Sequence, residues 1–317
     1  MATLYKHASI PSIISRVSLV AKAIGVFWVM SMKPIVEQTE AREVSHDKLG
    51  TLKLNSVYHE DVLVGLSKIP DESCQIIIID PPYFRAVKEE WDNQWKDMNE
   101  YLEWSDKWIS ECIRVLKPKG TMYIYGFSET LAHIFVRIPI NKKWLVWHYT
   151  NKSVPSLNFW QRSHESIICM WKDERPDFNR DKVRVPYTET FLKNSAGKIR
   201  TGTEGRFGGG KATIYKAHKN GALPRDVITV PALAGGAGFV EKVEHPTQKP
   251  LKLCDTLIKA AKNGDNIVLV PFVGSGSECV SAIDNDCKFI GFELNSDYLE
   301  LARERIKEAQ KQVKINI

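Results

Sequence analysis

The chain has 317 residues, which is enough for one large core or for one domain with a substantial insertion. Hydrophobic residues make up 43% and charged residues 26%, as in soluble globular proteins, and the net charge of +6 is compatible with a nucleic-acid partner without requiring one. The six cysteines are scattered, with no Cys-x-x-Cys pair and no histidine nearby at ligand spacing. This pattern argues against a zinc site and a disulfide framework, so we expect no metal and a reducing, cytoplasmic compartment.

The first 46 residues combine basic residues with one apolar stretch. That stretch, residues 17–32, is interrupted by Lys22 and is then too short to span a membrane, so we expect no membrane association. We interpret residues 1–46 as a poorly ordered extension, with Met30 or Met32 as alternative starts. A transit peptide is the other interpretation.

An alternation of strands and helices begins after this segment. The four isoleucines Ile76–Ile79 predict a buried strand, because continuous β-branched residues suit a parallel sheet that is covered on both faces. A helical pattern follows and is stopped by Lys117-Pro118-Lys119-Gly120. The elements predicted in residues 47–150 are strands at Ser56–Tyr58, Ile76–Ile79 and Thr121–Phe127 and a helix at Asn99–Leu116.

Residues 151–244 lose this rhythm and are rich in glycine and in basic residues. A run such as Arg206–Lys211 is typical of a solvated loop. The alternative is an inserted element that contacts a polyanion. The sequence leaves both interpretations open.

The alternation resumes in residues 245–317. Three helices are predicted there: one at Leu251–Lys262, one from the glycine loop to Ile283, and one that begins after an N-cap at Ser296. Strands are predicted at Asn266–Val270 and Lys288–Phe292. Strands and helices in this rhythm predict an α/β fold with a doubly wound, mostly parallel sheet.

The isoleucine strand is followed directly by Asp80-Pro81-Pro82-Tyr83. The strand therefore delivers these residues to the carboxyl edge of the sheet, where open α/β sheets bind ligands. Proline fixes φ and has no N–H, so the carbonyls of Asp80 and Pro81 are held in set directions. An acid, fixed carbonyls and an aromatic ring are well suited to gripping an amino group on a planar heterocycle.

A second motif, Phe272-Val273-Gly274-Ser275-Gly276, lies between a predicted strand and a predicted helix. Its glycines allow the backbone to approach a ligand, and the helix start offers free N–H donors. Glu293, at the end of the next strand, is placed to bind the two hydroxyls of a ribose. These features indicate a nucleoside-bearing cofactor. Cys279 stands in place of a third glycine and no P-loop lysine follows, which disfavours nicotinamide and ATP.

These two motifs, in this order and with His245-Pro246-Thr247-Gln248-Lys249-Pro250, resemble the amino-group DNA methyltransferases that use S-adenosylmethionine. The order resembles the permuted beta group of this N6-adenine and N4-cytosine family, and the resemblance covers about residues 56–306. It implies a Rossmann-like methyltransferase sheet. It further implies a catalytic half at 47–150, an inserted target-recognition region at 151–244 and a cofactor-binding half at 245–317.

The resemblance also assigns roles to single residues. Asp61 matches the acid that meets the adenine of the cofactor, and Glu293 matches the ribose acid. Thr247 and Lys249 match positions near the methionine end. The full cofactor-binding set that it implies is Asp61, Asp80, Thr247, Lys249, Phe272, Gly274, Ser275, Gly276 and Glu293, and the catalytic set is Asp80, Pro81, Pro82 and Tyr83.

The activity that the resemblance implies is methyl transfer to the N6 amine of adenine, on a base flipped out of double-stranded DNA. The Asp80 carboxylate and the Pro81 carbonyl would accept the N–H bonds of the amine, and Tyr83 would stack on the base. Methylation of the cytosine N4 amine is the alternative, because the same acceptors fit both bases. The resemblance also allows a homodimer and a cognate restriction endonuclease as partners.

Two positions depart from the family pattern. Val270 stands where the family usually has Asp, and losing that carboxylate is expected to weaken the hold on the methionine ammonium unless Asp80 or backbone carbonyls suffice. Phe84 replaces a common Asn. Because of Val270, a catalytically inactive, methyltransferase-like DNA-binding module is the alternative from another class.

Overall fold

The structure, a computed structural model, describes residues 48–151, 156–173, 175–201, 212–264 and 266–315. Every described residue belongs to one compact unit, residues 46–317. The extension predicted for residues 1–46 and the basic run at 206–211 lie outside the described residues.

The described residues form strands and helices that alternate over most of their length. The strands are β1 (Lys48–Leu49), β2 (Leu52–Lys53), β3 (Ser56–His59), β4 (Cys74–Ile79), β5 (Leu116–Gly126), β6 (Asn141–His148), β7 (His164–Trp171), β8 (Ile199–Thr201), β9 (Ala212–Ile214), β10 (Val227–Thr229), β11 (Ile267–Val270) and β12 (Lys288–Glu293). The helices are α1 (Val62–Ser67), α2 (Met98–Val115), α3 (Ser128–Arg137), α4 (Glu189–Asn194), α5 (Leu251–Ala261), α6 (Ser277–Asp284) and α7 (Ser296–Ile315).

Eight strands form a central sheet in the order β10-β6-β7-β5-β4-β11-β12-β3. Every neighbouring pair in this sheet is parallel except the two pairs that involve β7, which runs antiparallel to β5 and β6. The predicted α/β fold with a mostly parallel sheet is therefore confirmed.

Strand β4 lies in the middle of the sheet and is buried along its whole length. Ile76 and Ile78 pack into a core that includes residues of α5, α6 and α7, whereas Ile77 and Ile79 pack into a core that includes residues of α1, α2 and α3. Helices thus cover both faces, as a doubly wound sheet requires. Each buried isoleucine contributes roughly 2 kcal/mol of burial free energy, so the strand that carries the site is held firmly.

The closing helix α7 has a different N-cap from the predicted one. Asn295, not Ser296, caps it, because the Asn295 Oδ1 accepts hydrogen bonds from the backbone N–H groups of Asp297 (2.9 Å) and Tyr298 (3.1 Å). The prediction of Ser296 was therefore wrong by one residue, because asparagine and serine both cap helices well and this preference does not distinguish adjacent candidates.

The segment 151–244 contributes two strands to the central sheet, which its composition did not predict. Strand β7 is inserted between β5 and β6, and its Ile167, Ile168 and Met170 are fully buried. Strand β10 pairs with β6 at the sheet edge. Because β7 runs antiparallel to β5, its first residues lie at the same edge of the sheet as the last residues of β4.

The described ranges contain no helix that is both long and apolar enough to cross a membrane. Within the same ranges, no group of three or more His, Cys, Asp or Glu side chains is arranged to hold a metal ion.

Candidate active site

The carboxyl ends of β4, β11 and β12 surround a cavity of about 370 Å³. The structure therefore brings the tetrapeptide after β4 and the glycine turn after β11 to one shared hollow. The predicted site residues that line this cavity are Asp61, Asp80, Pro81, Pro82, Thr247, Lys249, Phe272, Gly274, Ser275 and Glu293. Tyr83 and Gly276 do not line it.

Asp80 forms a buried ion pair with Lys249. The Lys249 Nζ lies 2.8 Å from the Asp80 Oδ2 and 3.8 Å from the Glu165 Oε2, and its side chain is only 2% exposed. Burial by itself would lower the pKa of the Lys249 ammonium, but attraction to Asp80 and Glu165 outweighs burial and raises this pKa. Lys249 is thus a fixed positive charge. Its ammonium also donates a hydrogen bond to the Thr247 carbonyl at 3.0 Å.

Tyr83 holds the other oxygen of Asp80. Its hydroxyl donates to the Asp80 Oδ1 at 2.5 Å, and its ring packs edge-on against Phe127 at 5.1 Å between centroids. Burial and the neighbouring Asp80 charge raise the pKa of Tyr83 well above the ordinary value, so the phenol keeps its proton and acts as a donor. The ring is buried and does not line the cavity, and its predicted stacking on a base stays a prediction.

The loop after the tetrapeptide is held by Asp92, a fully buried residue that sequence reasoning missed. Its carboxylate accepts from the backbone N–H groups of Tyr83 (2.5 Å), Ala86 (2.5 Å) and Val87 (2.8 Å). Phe84, with φ of 64°, lies in the left-handed region that costs a non-glycine residue about 1 kcal/mol. We infer that the three charge-assisted bonds to Asp92 stabilise this strained turn.

Glycine is required at position 274. Its φ is +49°, and a Cβ there would lie 2.8 Å from the His245 Nε2. The Gly274 N–H donates to the Glu293 Oε2 at 2.8 Å, and the Asn295 N–H donates to the Glu293 Oε1 at 2.8 Å. The Glu293 carboxylate is therefore fixed by the backbone, and each of its oxygens keeps a further lone pair for a ligand.

Gly276 has a structural role at the start of α6. Its φ is +78°, and a Cβ there would lie 3.0 Å from the Ala302 Cβ on α7. The residue permits a left-handed turn and close helix packing, and it contributes nothing to the cavity wall.

The cavity is also lined by Asp61 and Phe272. Asp61 is the N-cap of α1, where its Oδ1 accepts from the backbone N–H groups of Leu63 (2.9 Å) and Val64 (3.4 Å). Phe272 packs against the rings of Trp104 and Trp108 at 5.7 Å and 5.6 Å between centroids. The cavity thus offers an oriented acid and a rigid apolar wall.

His245 forms part of the wall beside Gly274 as a neutral ring. Its Nδ1 accepts from the Thr247 N–H at 3.3 Å, and its ring contacts Tyr298 at 4.5 Å between centroids. Burial lowers the pKa of His245 to about 4, so the imidazole carries no charge at neutral pH.

The comparison with known proteins decides the family. The model of the N6/N4 methyltransferase family, described as DNA methylase, matches residues 74–304. The chain belongs to this family of DNA methyltransferases. The methyltransferase is 31% identical over 260 residues to the DNA adenine methyltransferase YhdJ of Escherichia coli (strain K12), a match that covers 79% of this chain and 82% of YhdJ.

Two solved structures share the fold. The PvuII DNA methyltransferase (cytosine-N4-specific) matches with a TM-score of 0.57 and 17% identity, over 81% of this chain and 90% of PvuII. The complex of M1.HpyAVI with S-adenosylmethionine matches with a TM-score of 0.53 and 21% identity, over 79% of this chain and 98% of M1.HpyAVI. The predicted methyltransferase fold is confirmed, and so is the predicted cofactor, S-adenosylmethionine.

The cavity of the methyltransferase fits this cofactor chemically. Glu293 presents fixed acceptors of the kind that bind ribose hydroxyls, and the missing Cβ of Gly274 leaves the backbone open beside it. Phe272 supplies an apolar surface for a planar ring. Lys249 can pair with a carboxylate, which the methionine part of the cofactor carries.

Two further acids of the methyltransferase were missed by sequence reasoning. Glu165 is the second residue of the unpredicted strand β7 and faces Lys249, and Glu278 lies in the first turn of α6 and lines the cavity. A signal existed for Glu278, because an acid in the first turn of a helix that follows a glycine loop is close to whatever the loop binds. No comparable signal marks Glu165, because its position depends on where β7 joins the sheet.

Proposed function

We propose that the methyltransferase transfers a methyl group to the N6 amine of adenine, on a base rotated out of double-stranded DNA. The observation that carries this proposal is the shared cavity, in which the Asp80–Pro81 tip and the Glu293–Gly274 wall meet. The adenine assignment is supported by the name of its E. coli relative, a DNA adenine methyltransferase.

S-adenosylmethionine, when bound, supplies a methyl group on positively charged sulfur. We assign Glu293 to the ribose, Asp61 to the adenine ring of the cofactor, and Thr247 and Lys249 to the methionine end. Phe272, Gly274 and Ser275 form the wall between these ends.

Asp80 and Pro81 act on the amine that receives the methyl group. The nitrogen of an adenine amine becomes tetrahedral and positive during transfer, so acceptors placed along its N–H bonds stabilise the transition state more than the ground state. An Asp80 carboxylate already bound by Tyr83 and Lys249 has lone pairs left for one N–H bond. The Pro81 carbonyl is directed by the rigid Pro81-Pro82 backbone.

The remaining residues of the tip orient these acceptors. The Tyr101 hydroxyl donates to the Pro82 carbonyl at 2.7 Å, and Asp92 holds the backbone N–H of Tyr83. Because orientation supplies a large part of the rate in a direct group transfer, a preformed tip is what this reaction needs.

Access to the tip requires the base to leave the duplex, since an amine inside a stacked helix cannot reach such a cavity. We assign the duplex contact to the segment 151–244, whose Arg162 places its guanidinium 3.9 Å from the centroid of the Phe127 ring. That ring packs on Tyr83, so Arg162 lies beside the tip. A homodimer and a cognate restriction endonuclease stay predictions.

The proposal is tested by expressing the chain in a host whose DNA carries no methylated adenine or cytosine amine. Genomic DNA is digested to nucleosides and analysed by mass spectrometry. N6-methyladenine above the level in an Asp80→Ala control is the expected result. Detection of N4-methylcytosine instead would support cytosine as the target base, for which PvuII is named and which the same acceptors fit. The absence of both methylated bases would contradict the proposed activity.

A further inference from the structure

Glu278 is a buried carboxyl group in the cavity wall that the proposed reaction does not use. It lies in the first turn of α6, directly after the glycine turn, and its side chain is almost fully buried. Its Oε1 accepts a hydrogen bond from the Cys254 thiol at 3.4 Å. A thiol is a weak donor, so this contact compensates little of the cost of burying a carboxylate.

No cationic side chain of the described ranges forms an ion pair with Glu278 within 4 Å. The Lys249 ammonium is already shared between Asp80 and Glu165. Lys249 carries the ammonium closest to these acids, and Arg305, the other cation whose charge acts on Glu278, forms no ion pair with it within 4 Å. A cationic ligand group would give the Glu278 carboxylate the ion-pair partner that it lacks among the described side chains.

The position of Glu278 also relates to Val270. Val270 ends β11 and is buried in the apolar core, so it presents no polar group to the cavity. Glu278 follows on the other side of the same turn, and it reaches the cavity that Val270 does not. An acid is thus present beside the glycine turn, although not at the strand end.

We propose that Glu278 binds the α-ammonium group of S-adenosylmethionine and supplies the carboxylate that position 270 lacks. The amino-acid part of the cofactor carries one ammonium and one carboxylate. Glu278 pairs with the ammonium, so the positive end of the zwitterion meets a negative charge. This inference depends on the cofactor and not on which base is methylated.

The electrostatics of the cavity wall agree with this role. Burial, and then repulsion by the Asp80 charge, raise the pKa of Glu278 to about 7. An ammonium bound beside it would favour the ionised form. The carboxyl group is therefore expected to ionise when the cofactor binds. A purely structural acid would keep the same thiol contact with and without bound cofactor.

The test is calorimetric binding of two ligands to the full chain without DNA. The ligands are S-adenosylhomocysteine and its analogue in which hydrogen replaces the α-amino group. For Glu278→Gln we expect about tenfold weaker binding of the amino ligand, the size of one lost charged hydrogen bond, and less than about twofold change for the deaminated ligand. Glutamine keeps the shape and an acceptor for Cys254. Glu293→Gln is the matched control, because both ligands carry the ribose and both should weaken equally.

An equal loss for both ligands in Glu278→Gln, or no loss for either, would overturn the proposal. Should this variant fail to fold, the natural chain provides the second measurement. The ratio of the two affinities should rise about tenfold as the pH increases through 7, because Glu278 ionises there. A flat ratio would also overturn it.

The other groups that face Glu278 are Asp80, Lys249, Cys254, Tyr125 and Arg305. The thiol, the phenol and the lysine ammonium among them do not produce that change. Burial raises the pKa of the Cys254 thiol and of the Tyr125 phenol well above their ordinary values, and the pKa of Lys249 is also raised. Because the same adenosine is present in both ligands, changes elsewhere in the cavity cancel in the ratio.

Discussion

The two sides of the cavity differ in how complete they are without a ligand. At the tip after β4, the Asp80 carboxylate has partners on both oxygens, Lys249 and Tyr83, and the loop behind it is held by Asp92. In the wall after β11, the Glu278 carboxyl accepts a hydrogen bond from one other described side chain, the weakly donating Cys254 thiol, and forms no ion pair with a described cation within 4 Å. The tip is therefore preorganised by the protein, whereas we infer that the wall is completed by the cofactor.

The largest effect is expected at the tip. Asp80→Ala removes the acceptor for the amine and leaves the Lys249 ammonium buried without its 2.8 Å partner. We expect methyl transfer to fall by roughly 10³-fold or more, the scale seen when a preorganised charge-stabilising group is lost. Transfer of labelled methyl groups to adenine-containing DNA measures this, with circular dichroism to show that the variant folds. Undiminished turnover would refute the role of Asp80.

The next largest effect is expected at Glu278 in the cavity wall, and it is measured as a pH-dependent change in the free energy of unfolding. The folded pKa of Glu278 is raised from 4.5 to about 7, so the folded state binds more protons than the unfolded state between these values. The free energy of unfolding should therefore fall as the pH rises from about 4.5 to 7, by about 3 kcal/mol relative to Glu278→Gln. Urea unfolding of both ligand-free proteins at several pH values gives this difference. His245, whose pKa is lowered to about 4, contributes the opposite slope to both proteins and cancels.

If the free energies of unfolding of the natural chain and the variant changed in parallel with pH, the pKa of Glu278 would not be raised by burial in the folded state. That outcome would remove the contrast between the two sides of the cavity. Adding S-adenosylhomocysteine should reduce the difference at pH 8, since a bound ammonium stabilises the ionised carboxylate.

The loop anchor should have a moderate effect. In Asp92→Asn, one oxygen is replaced by an NH₂ group that faces backbone N–H donors, so bonds to Tyr83 or to Ala86 and Val87 are lost. We expect a loss of about 2 kcal/mol in the free energy of unfolding. Limited proteolysis should cut first near Phe84, where the backbone is strained. Unchanged stability and an unchanged cleavage pattern would mean that the tip does not depend on Asp92.

The smallest effect is expected at Tyr83. Tyr83→Phe removes only the hydroxyl bond to Asp80 and keeps the buried ring, so we expect a loss of about 1 kcal/mol, or roughly fivefold in turnover. Tyr83→Ala should cost more than this but less than Asp80→Ala, because Lys249 still orients the carboxylate. Steady-state turnover of the three variants tests the ranking. Equal losses in all three would assign the chemistry to the hydroxyl.

Residues with a strong local pattern were predicted well. The isoleucine strand, the tetrapeptide at its end, the glycine turn and the helices around Leu257 and Trp108 all lie where the sequence placed them, with boundaries differing by a few residues. Their patterns arise from burial on both faces of a sheet and from helical periodicity, which depend on neighbours in the chain. The family and the cofactor followed from the order of these motifs, and both are confirmed.

Residues whose role depends on distant partners were not predicted. Strand β7 lies in a segment rich in glycine and basic residues, and only its pairing with β5 and β6 brings Glu165 to the site. Asp92 resembles any acid in a polar loop until its carboxylate meets three backbone N–H groups of the preceding turn. Local sequence patterns do not predict contacts between residues of this kind.

The amino-acid sequence by itself therefore determined which chemical groups stand at the ends of β4, β11 and β12. The local pattern identifies each strand, and the residues that follow it along the chain are then known. Only the tertiary structure decided how their charges are shared: Lys249 pairs with Asp80 and Glu165, and no described cationic side chain forms an ion pair with Glu278 within 4 Å. The physical reason is that an ionised group acts over a few ångströms of low-dielectric interior, and those distances are set by packing rather than by spacing along the chain.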